Sequence, residues 1–80
     1  MFLEVVKAEY LTDYKIKLWF NNHVIKVVDL VNSLNGEAFA QLKNIENFKS
    51  FTIKFNTIEW ENGADLAPEY LYEIGETVYN

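Results

Sequence analysis

The first third of the chain alternates hydrophobic and polar positions in a way that predicts three β-strands. Residues 2–11 alternate imperfectly, residues 14–20 alternate more clearly, and residues 23–29 run back after an Asn-rich turn. Successive side chains of a strand point to opposite faces, so this pattern indicates a sheet that buries one face. Because Asn tolerates positive φ angles, we expect Asn21-Asn22 to form a two-residue hairpin loop.

A two-residue loop fixes the register of this hairpin and sorts its side chains between two faces. In that register apolar side chains meet on one face, which is therefore expected to be buried. Two lysines oppose each other on the second face, which suits a face exposed to water or to acidic groups. The expected pairs are Leu18–Ile25 and Ile16–Val27 on the buried face, and Trp19–Val24 and Lys17–Lys26 on the second face.

The hydrophobic period changes in the middle of the chain. Residues 37–43 place apolar side chains on one stripe, which predicts a helix of barely two turns that tertiary packing must hold. Residues 44–48 are expected to break it. Alternation returns over residues 51–55, and a second two-residue loop leads into residues 58–60. With that loop at Asn56-Thr57, the expected pairs are Phe55–Ile58, Ile53–Trp60 and Lys54–Glu59.

The last quarter of the chain predicts a turn and a short helix. Asn62-Gly63 is a strong turn signal, and Pro68 is a favoured first residue of a helix. We expect that helix to run from about Pro68 to Glu73, to end at Gly75, and to leave residues 76–80 as a tail. The element order β-β-β-α-β-β-α predicts one α+β domain over the whole chain, with two layers, an antiparallel sheet of about five strands and two short helices.

Composition narrows the class of protein. Half of the 80 residues are hydrophobic, which is enough for one compact core. There is no cysteine, so disulfides, thiolate metal sites and Cys nucleophiles are excluded. No apolar run approaches the about 20 residues of a membrane span, and the start does not resemble a signal peptide. We therefore expect a cytoplasmic protein with no membrane association.

The charge is acidic and unevenly distributed. The formal net charge is −5, and all seven basic residues are lysines that lie between Lys7 and Lys54. From Glu59 to the end, the chain carries six acidic residues and no basic one. Such a surface repels phosphate backbones, and arginine, the usual residue for gripping phosphate or reading guanine, is missing. Direct binding of nucleic acid is not expected.

A distinctive motif joins the second hairpin to the last helix. It reads Trp-x-Asn-Gly-x-Asp-Leu-x-Pro-Glu from Trp60 to Glu69, with Ile58-Glu59 before it and Leu71-Tyr72 after it. This motif resembles the closing signature of the domain-of-unknown-function 2442 family of small bacterial proteins. A weaker upstream similarity extends the resemblance over nearly the whole chain.

The resemblance implies an α+β fold and brings no catalytic residues with it. Members are similar to small standalone proteins that are often encoded beside another small protein, an arrangement similar to toxin–antitoxin pairs. Here Glu61 replaces a Pro that members often carry after the Trp, and Asn22 replaces a Gly of the first hairpin. Neither replacement threatens the implied fold.

The motif is also the first place to look for chemistry. Gly63 would let backbone N–H groups face a ligand, and the carboxylates of Glu61 and Asp65 would suit a cation, but the alternating acids of a Ca²⁺ loop are absent. We expect a structural joint instead, in which Gly63 supplies a positive φ, Asp65 accepts hydrogen bonds from loop amides and Trp60 fills the core. The expected structural residues are Trp60, Asn62, Gly63, Asp65 and Pro68.

Catalysis is not expected from the remaining polar residues. His23 is the only histidine, follows a hairpin turn and has no nucleophile paired with it in the sequence. Glu59 and Glu61 share one face of a strand, where two acids can perform acid–base chemistry, but Lys54 is expected opposite Glu59 as in an ordinary exposed ladder. We expect no enzyme activity, no metal site and no cofactor.

The second face of the first sheet is the strongest candidate for binding. It combines exposed lysines with an apolar Trp19–Val24 pair, and aromatic residues are enriched at protein interfaces. We hypothesise a non-catalytic domain that binds a protein partner or a second copy of itself; the alternative is an antitoxin-like component of a two-gene bacterial module. The candidate interface residues are Lys15, Lys17, Trp19, Val24 and Lys26.

Overall fold

Six antiparallel strands in two sheets and three short helices form the α+β fold of the computed structural model, which describes residues 2–79. This confirms the predicted class. The first sheet has the strand order β1-β2-β3-β6, and β4 pairs with β5 in the second. The strands are β1 Val5–Thr12, β2 Lys15–Phe20, β3 Ile25–Asp29, β4 Thr52–Lys54, β5 Thr57–Glu59 and β6 Glu76–Thr77; the helices are α1 Glu37–Ala40, α2 Ile45–Phe48 and α3 Pro68–Ile74.

The turn between β2 and β3 has three residues between the paired Phe20 and Val24, so the predicted two-residue loop is wrong. The backbone N–H of Phe20 donates to the Val24 carbonyl at 2.9 Å, which leaves Asn21, Asn22 and His23 to make the turn. His23 adopts the left-handed conformation, with φ 71°, and its N–H returns to the Phe20 carbonyl at 3.0 Å. The prediction expected Asn21 and Asn22 to adopt the left-handed conformation. In the structure His23 adopts it instead.

The extra loop residue shifts the register of the hairpin by one. A shift of one residue exchanges the two faces of a strand, so β3 presents the opposite set of side chains to the core. Val28 and Lys26 lie on the core side, and Ile25 and Val27 lie on the other face. All four predicted pairs are therefore wrong, and the observed pairs are Lys15–Asp29, Ile16–Val28, Lys17–Val27, Leu18–Lys26 and Trp19–Ile25.

The second hairpin turns one residue earlier than predicted. Phe55 and Asn56 both have positive φ angles, 52° and 70°, as a type I′ turn requires, and Thr57 already belongs to β5. The predicted pairs Phe55–Ile58, Ile53–Trp60 and Lys54–Glu59 are replaced by Thr52–Glu59, Ile53–Ile58 and Lys54–Thr57. The shift is even, so the faces are unchanged, and Lys54 Nζ still reaches Glu59 Oε1 diagonally at 3.8 Å.

The predicted helix over residues 37–43 is divided. Helix α1 gives way to a 3₁₀ turn at Gln41–Lys43, and residues 44–48, predicted to break the helix, contain α2. Asn44 ends one segment and begins the next, because its side chain accepts hydrogen bonds from the N–H groups of Glu46 and Asn47 at 3.0 and 3.4 Å. Asn44 therefore interrupts the predicted helix and at the same time serves as the N-cap of α2.

The end of the chain adds a strand that was predicted as tail. Helix α3 confirms the predicted helix within one residue, and Glu76–Thr77 then pair with Val27 and Lys26 at the edge of the first sheet. The side chain of Lys26 reaches from β3 to the C-terminal part of α3. Its Nζ donates a hydrogen bond to the Tyr72 carbonyl at 2.6 Å and lies 4.0 Å from the centre of the Tyr72 ring. A cation at this end of a helix complements the helix dipole.

The core lies between one face of the four-stranded sheet and a second layer made of the helices and the β4–β5 hairpin. None of the helices in residues 2–79 is long and apolar enough to span a membrane. The buried apolar residues are Val5, Ile16, Leu18, Phe20, Val28, Leu30, Leu34, Leu42, Phe48, Ile58, Trp60, Ala64 and Leu71.

Gly75 allows α3 to approach β3 closely, and its replacement provides a test of the fold. A Cβ atom there would lie 3.0 Å from Val28 Cγ1, from Lys26 Cβ and from the Leu71 carbonyl oxygen. Gly75→Ala should therefore destabilise the protein, by about 1–3 kcal/mol in chemical denaturation, because the new methyl group overpacks this contact. Where space allows, the same change stabilises proteins by about 0.4–1 kcal/mol, so a gain in stability would contradict the packing described.

Candidate interaction surface

Trp60 is the centre of the signature segment and is packed inside the protein. Its side chain is 1% exposed, and its indole Nε1–H donates to the Phe48 carbonyl at 2.8 Å. The ring centres of Phe39, Phe48 and Phe51 lie 6.3, 5.8 and 6.4 Å from that of Trp60. Such offset and edge contacts add to the free energy gained by burying each ring.

The turn after Trp60 is closed by backbone and side-chain hydrogen bonds. Gly63 has φ 87°, and its N–H donates to the Trp60 carbonyl at 2.9 Å, while the Trp60 N–H donates to the Ala64 carbonyl at 2.8 Å. The Asn62 side chain accepts from the Ala64 N–H at 3.1 Å and donates to the Ala38 carbonyl at 2.8 Å. Asn62 thereby fastens this turn to helix α1.

Asp65 and Pro68 continue the joint toward the last helix. Asp65 is exposed and pairs through its backbone with Glu59 as an isolated antiparallel bridge. We expected Asp65 to accept hydrogen bonds from loop amides, and the loop amide of Ala64 is bound by Asn62 instead. Pro68 is the first residue of α3, as expected, and the Thr57 hydroxyl donates to the Leu66 carbonyl at 2.5 Å to hold the connecting loop against β5.

A shallow cavity lies beside the signature segment but brings little chemistry together. Its volume is about 230 Å³, and Glu61 is its one carboxylate. Within residues 2–79 there is no group of three or more His, Cys, Asp or Glu side chains that could hold a metal ion. The cavity is lined by Gln41, Leu42, Asn47, Ser50, Trp60, Glu61 and Asn62.

The burial of Trp60 leads to a prediction about the two tryptophans. Trp60→Ala should lower the free energy of unfolding by about 3–5 kcal/mol, because it empties a fully packed site and removes the donor to the Phe48 carbonyl. Trp19→Ala is the matched control, and since Trp19 is only half-buried it should cost less than half as much. Chemical denaturation monitored by circular dichroism measures both; equal losses would show that Trp60 has no special structural role.

In the part of the chain that the structure describes, no second layer covers the face of the four-stranded sheet that points away from the core. None of its side chains is fully buried, whereas the opposite face carries Ile16, Leu18 and Val28 at 0% exposure. We call it the open face. Its residues, by strand register, are Lys7, Glu9, Thr12, Lys15, Lys17, Trp19, Ile25, Val27, Asp29 and Glu76.

The five candidate interface residues are divided between the two faces. Lys15, Lys17 and Trp19 lie on the open face, in neighbouring positions along β2. Val24 lies beside Phe20 on the core side, and Lys26 is turned toward helix α3 on that side as well. The one-residue error in register accounts for both misplacements.

Lys7 is a member of the candidate surface that the sequence analysis missed. It pairs directly with Trp19, and its Nζ lies 4.6 Å from the centre of the indole ring. Lys17 Nζ approaches the same ring at 5.1 Å, so two ammonium groups lie over one tryptophan. The register between β1 and β2 would have revealed Lys7, but β1 has irregularities at two places and alternates poorly in sequence.

The fold and this surface define a small α+β domain with one packed and one open sheet face. The chain belongs to the family described as "Protein of unknown function (DUF2442)", whose model it matches over residues 5–77. This confirms the family that the closing motif indicated. A search of curated proteins finds no match, and neither does a search of solved structures.

Proposed function

We propose that this domain is a non-catalytic interaction module that binds a partner protein through its open face. The observation that supports the proposal is Trp19, which stays partly exposed in the middle of that face, where nothing in residues 2–79 forms a second layer over it. Aromatic side chains are enriched in the cores of protein interfaces and supply much of the free energy of binding there.

The surroundings of Trp19 indicate the chemistry of the partner. Lys7 and Lys17 cover the ring in the free protein, and each cation–π contact is worth only about 0.5–1 kcal/mol at an exposed site. A partner that presents an apolar side chain bordered by Asp or Glu would cover the ring and give both ammonium groups a carboxylate. Apolar contact would come also from Ile25, which pairs with Trp19 on the next strand.

An antitoxin-like role is the second hypothesis, and it makes a narrower claim about the same surface. Its partner would be the product of a neighbouring gene, as the family resemblance implies, and that partner would supply the activity. Co-purification with the neighbouring gene product therefore separates the two hypotheses. A stable complex with the neighbouring gene product would favour the antitoxin-like role. If no such complex forms, the hypothesis of a general interaction module is retained.

The proposal predicts that Trp19→Ala abolishes partner binding without unfolding the domain. Affinity capture with tagged wild-type protein identifies partners, and calorimetry with a purified partner then measures affinity. We expect Trp19→Ala to weaken binding by at least about tenfold, as loss of an aromatic hot spot does. Lys17→Gln should weaken it less and make it less sensitive to salt.

The matched control is Val31→Ala. Val31 is 51% exposed and lies in the turn after β3, outside the open face. The Val31→Ala variant should bind the partner with wild-type affinity. This result would separate an effect of the open face from a general effect of removing exposed apolar groups. A partner whose affinity is unchanged by both Trp19→Ala and Lys17→Gln would contradict the proposal.

A further inference from the structure

The structure points to a second surface, the free edge of strand β4, and we infer that two copies of this chain pair there as antiparallel strands. This inference is independent of the open face, because β4 belongs to the other sheet. All three residues of β4, which are Thr52, Ile53 and Lys54, are exposed. Among residues 2–79, β5 is the one strand paired with β4, while β1 lies close to the hairpin and its Val5 N–H donates to the Asn56 carbonyl in the turn at 2.9 Å.

The hairpin register shows which backbone groups are free. Lys54 and Thr57 flank the two-residue turn and form a hydrogen-bonded pair, so the next pair, Ile53–Ile58, is of the non-hydrogen-bonded kind. The N–H and C=O of Ile53 therefore point away from β5, toward the open edge. An unpaired edge of this kind is a template for another strand.

The sequence of the edge suits a copy of itself. In an antiparallel pair with a two-fold axis at Ile53, each Ile53 N–H meets the Ile53 carbonyl of the second copy, which gives two hydrogen bonds by symmetry. Thr52 lies opposite Lys54 of the second copy, so no like charges oppose each other. Phe51 and Phe55 flank β4 at its two ends, so the antiparallel pairing brings Phe51 of one copy near Phe55 of the other.

Phe55 supports the inference because it is unfavourable in the isolated chain. It is 80% exposed, and it occupies a left-handed turn position, φ 52°, that glycine or asparagine adopts more easily. Its ring has one cationic neighbour, Lys54 Nζ at 5.6 Å. In the pair, that ring would cover Phe51 and Ile53 of the second copy, and Phe51 already contacts the Trp60 ring. The apolar core would then continue across the interface.

Sedimentation equilibrium of the purified full chain from micromolar to millimolar concentration tests this pairing. We expect a monomer–dimer equilibrium whose dissociation constant rises at least about tenfold in Ile53→Lys, which places two like charges at the two-fold axis. Thr52→Lys should also weaken the dimer, because the new side chain faces Lys54 of the second copy. Within one chain it faces Glu59, so that variant should stay folded.

Phe55→Asn separates an interface role from a structural one. It relieves the strained turn and removes the exposed ring, so the dimer should weaken while the thermal unfolding temperature of the monomer stays the same or rises. Trp19→Ala should leave self-association unchanged, which keeps this test distinct from that of the open face. A chain that is monomeric at every concentration would overturn the inference, as would a dimer indifferent to Ile53→Lys and Thr52→Lys. Stable pairing only with a strand of another protein would overturn it as well.

Discussion

The fold depends above all on the packing of the Trp60 indole. Its N–H is bonded to the last residue of α2, Phe48, and its ring is surrounded by phenylalanines from three separate segments. Helices of four residues such as α1 and α2 cannot persist alone in water, because so short a helix does not repay the cost of its nucleation. Their stability therefore comes from the side chains, Phe39 and Phe48, that they place against this ring.

The same interaction explains why the closing motif has its particular composition. Gly63 and Asn62 fold the chain back immediately after Trp60, and Asn62 fastens the turn to α1 at the Ala38 carbonyl. Pro68 then starts the last helix, whose Leu71 reaches the core. The motif is thus a joint between the second hairpin and α3. Its Asn62 side chain serves hydrogen bonds within the chain.

The core side of the sheet is occupied in this way, so both proposed recognition surfaces lie on the exposed parts of the two sheets. The open face offers Trp19 under two lysines, and the free edge of β4 offers Ile53 beside a strained, exposed Phe55. Both are costly to leave in water, and they lie on different sheets. One chain could accordingly pair with a copy of itself while its open face remains free for a partner.

Much of this arrangement could be predicted from local patterns, and the errors have local causes. Alternation identified β2, and Pro68 placed the start of α3 correctly, because each depends on the residues themselves. The register of the first hairpin depended on whether His23 would adopt a left-handed conformation, which side-chain type alone does not decide.

The candidate surface was less predictable than the strands that form it. The observed β2–β3 register differs by one residue from the predicted one, and this places Val24 and Lys26 on the core side. Lys7 could not be assigned to Trp19 without the β1–β2 register, which the irregularities of β1 obscure. Sequence patterns thus located the face and its tryptophan, while the pairing of strands determined which neighbours surround it.

Hydrogen exchange of the two tryptophan indole N–H groups, followed by NMR, tests the central claim most directly. The Trp60 Nε1–H is buried and bonded to the Phe48 carbonyl, so it should exchange only when the whole domain unfolds, with a protection that matches the global free energy of unfolding. The Trp19 indole, partly exposed on the open face, should exchange far faster. Equal and rapid exchange of both would contradict the role of Trp60 as the side chain that holds the fold together.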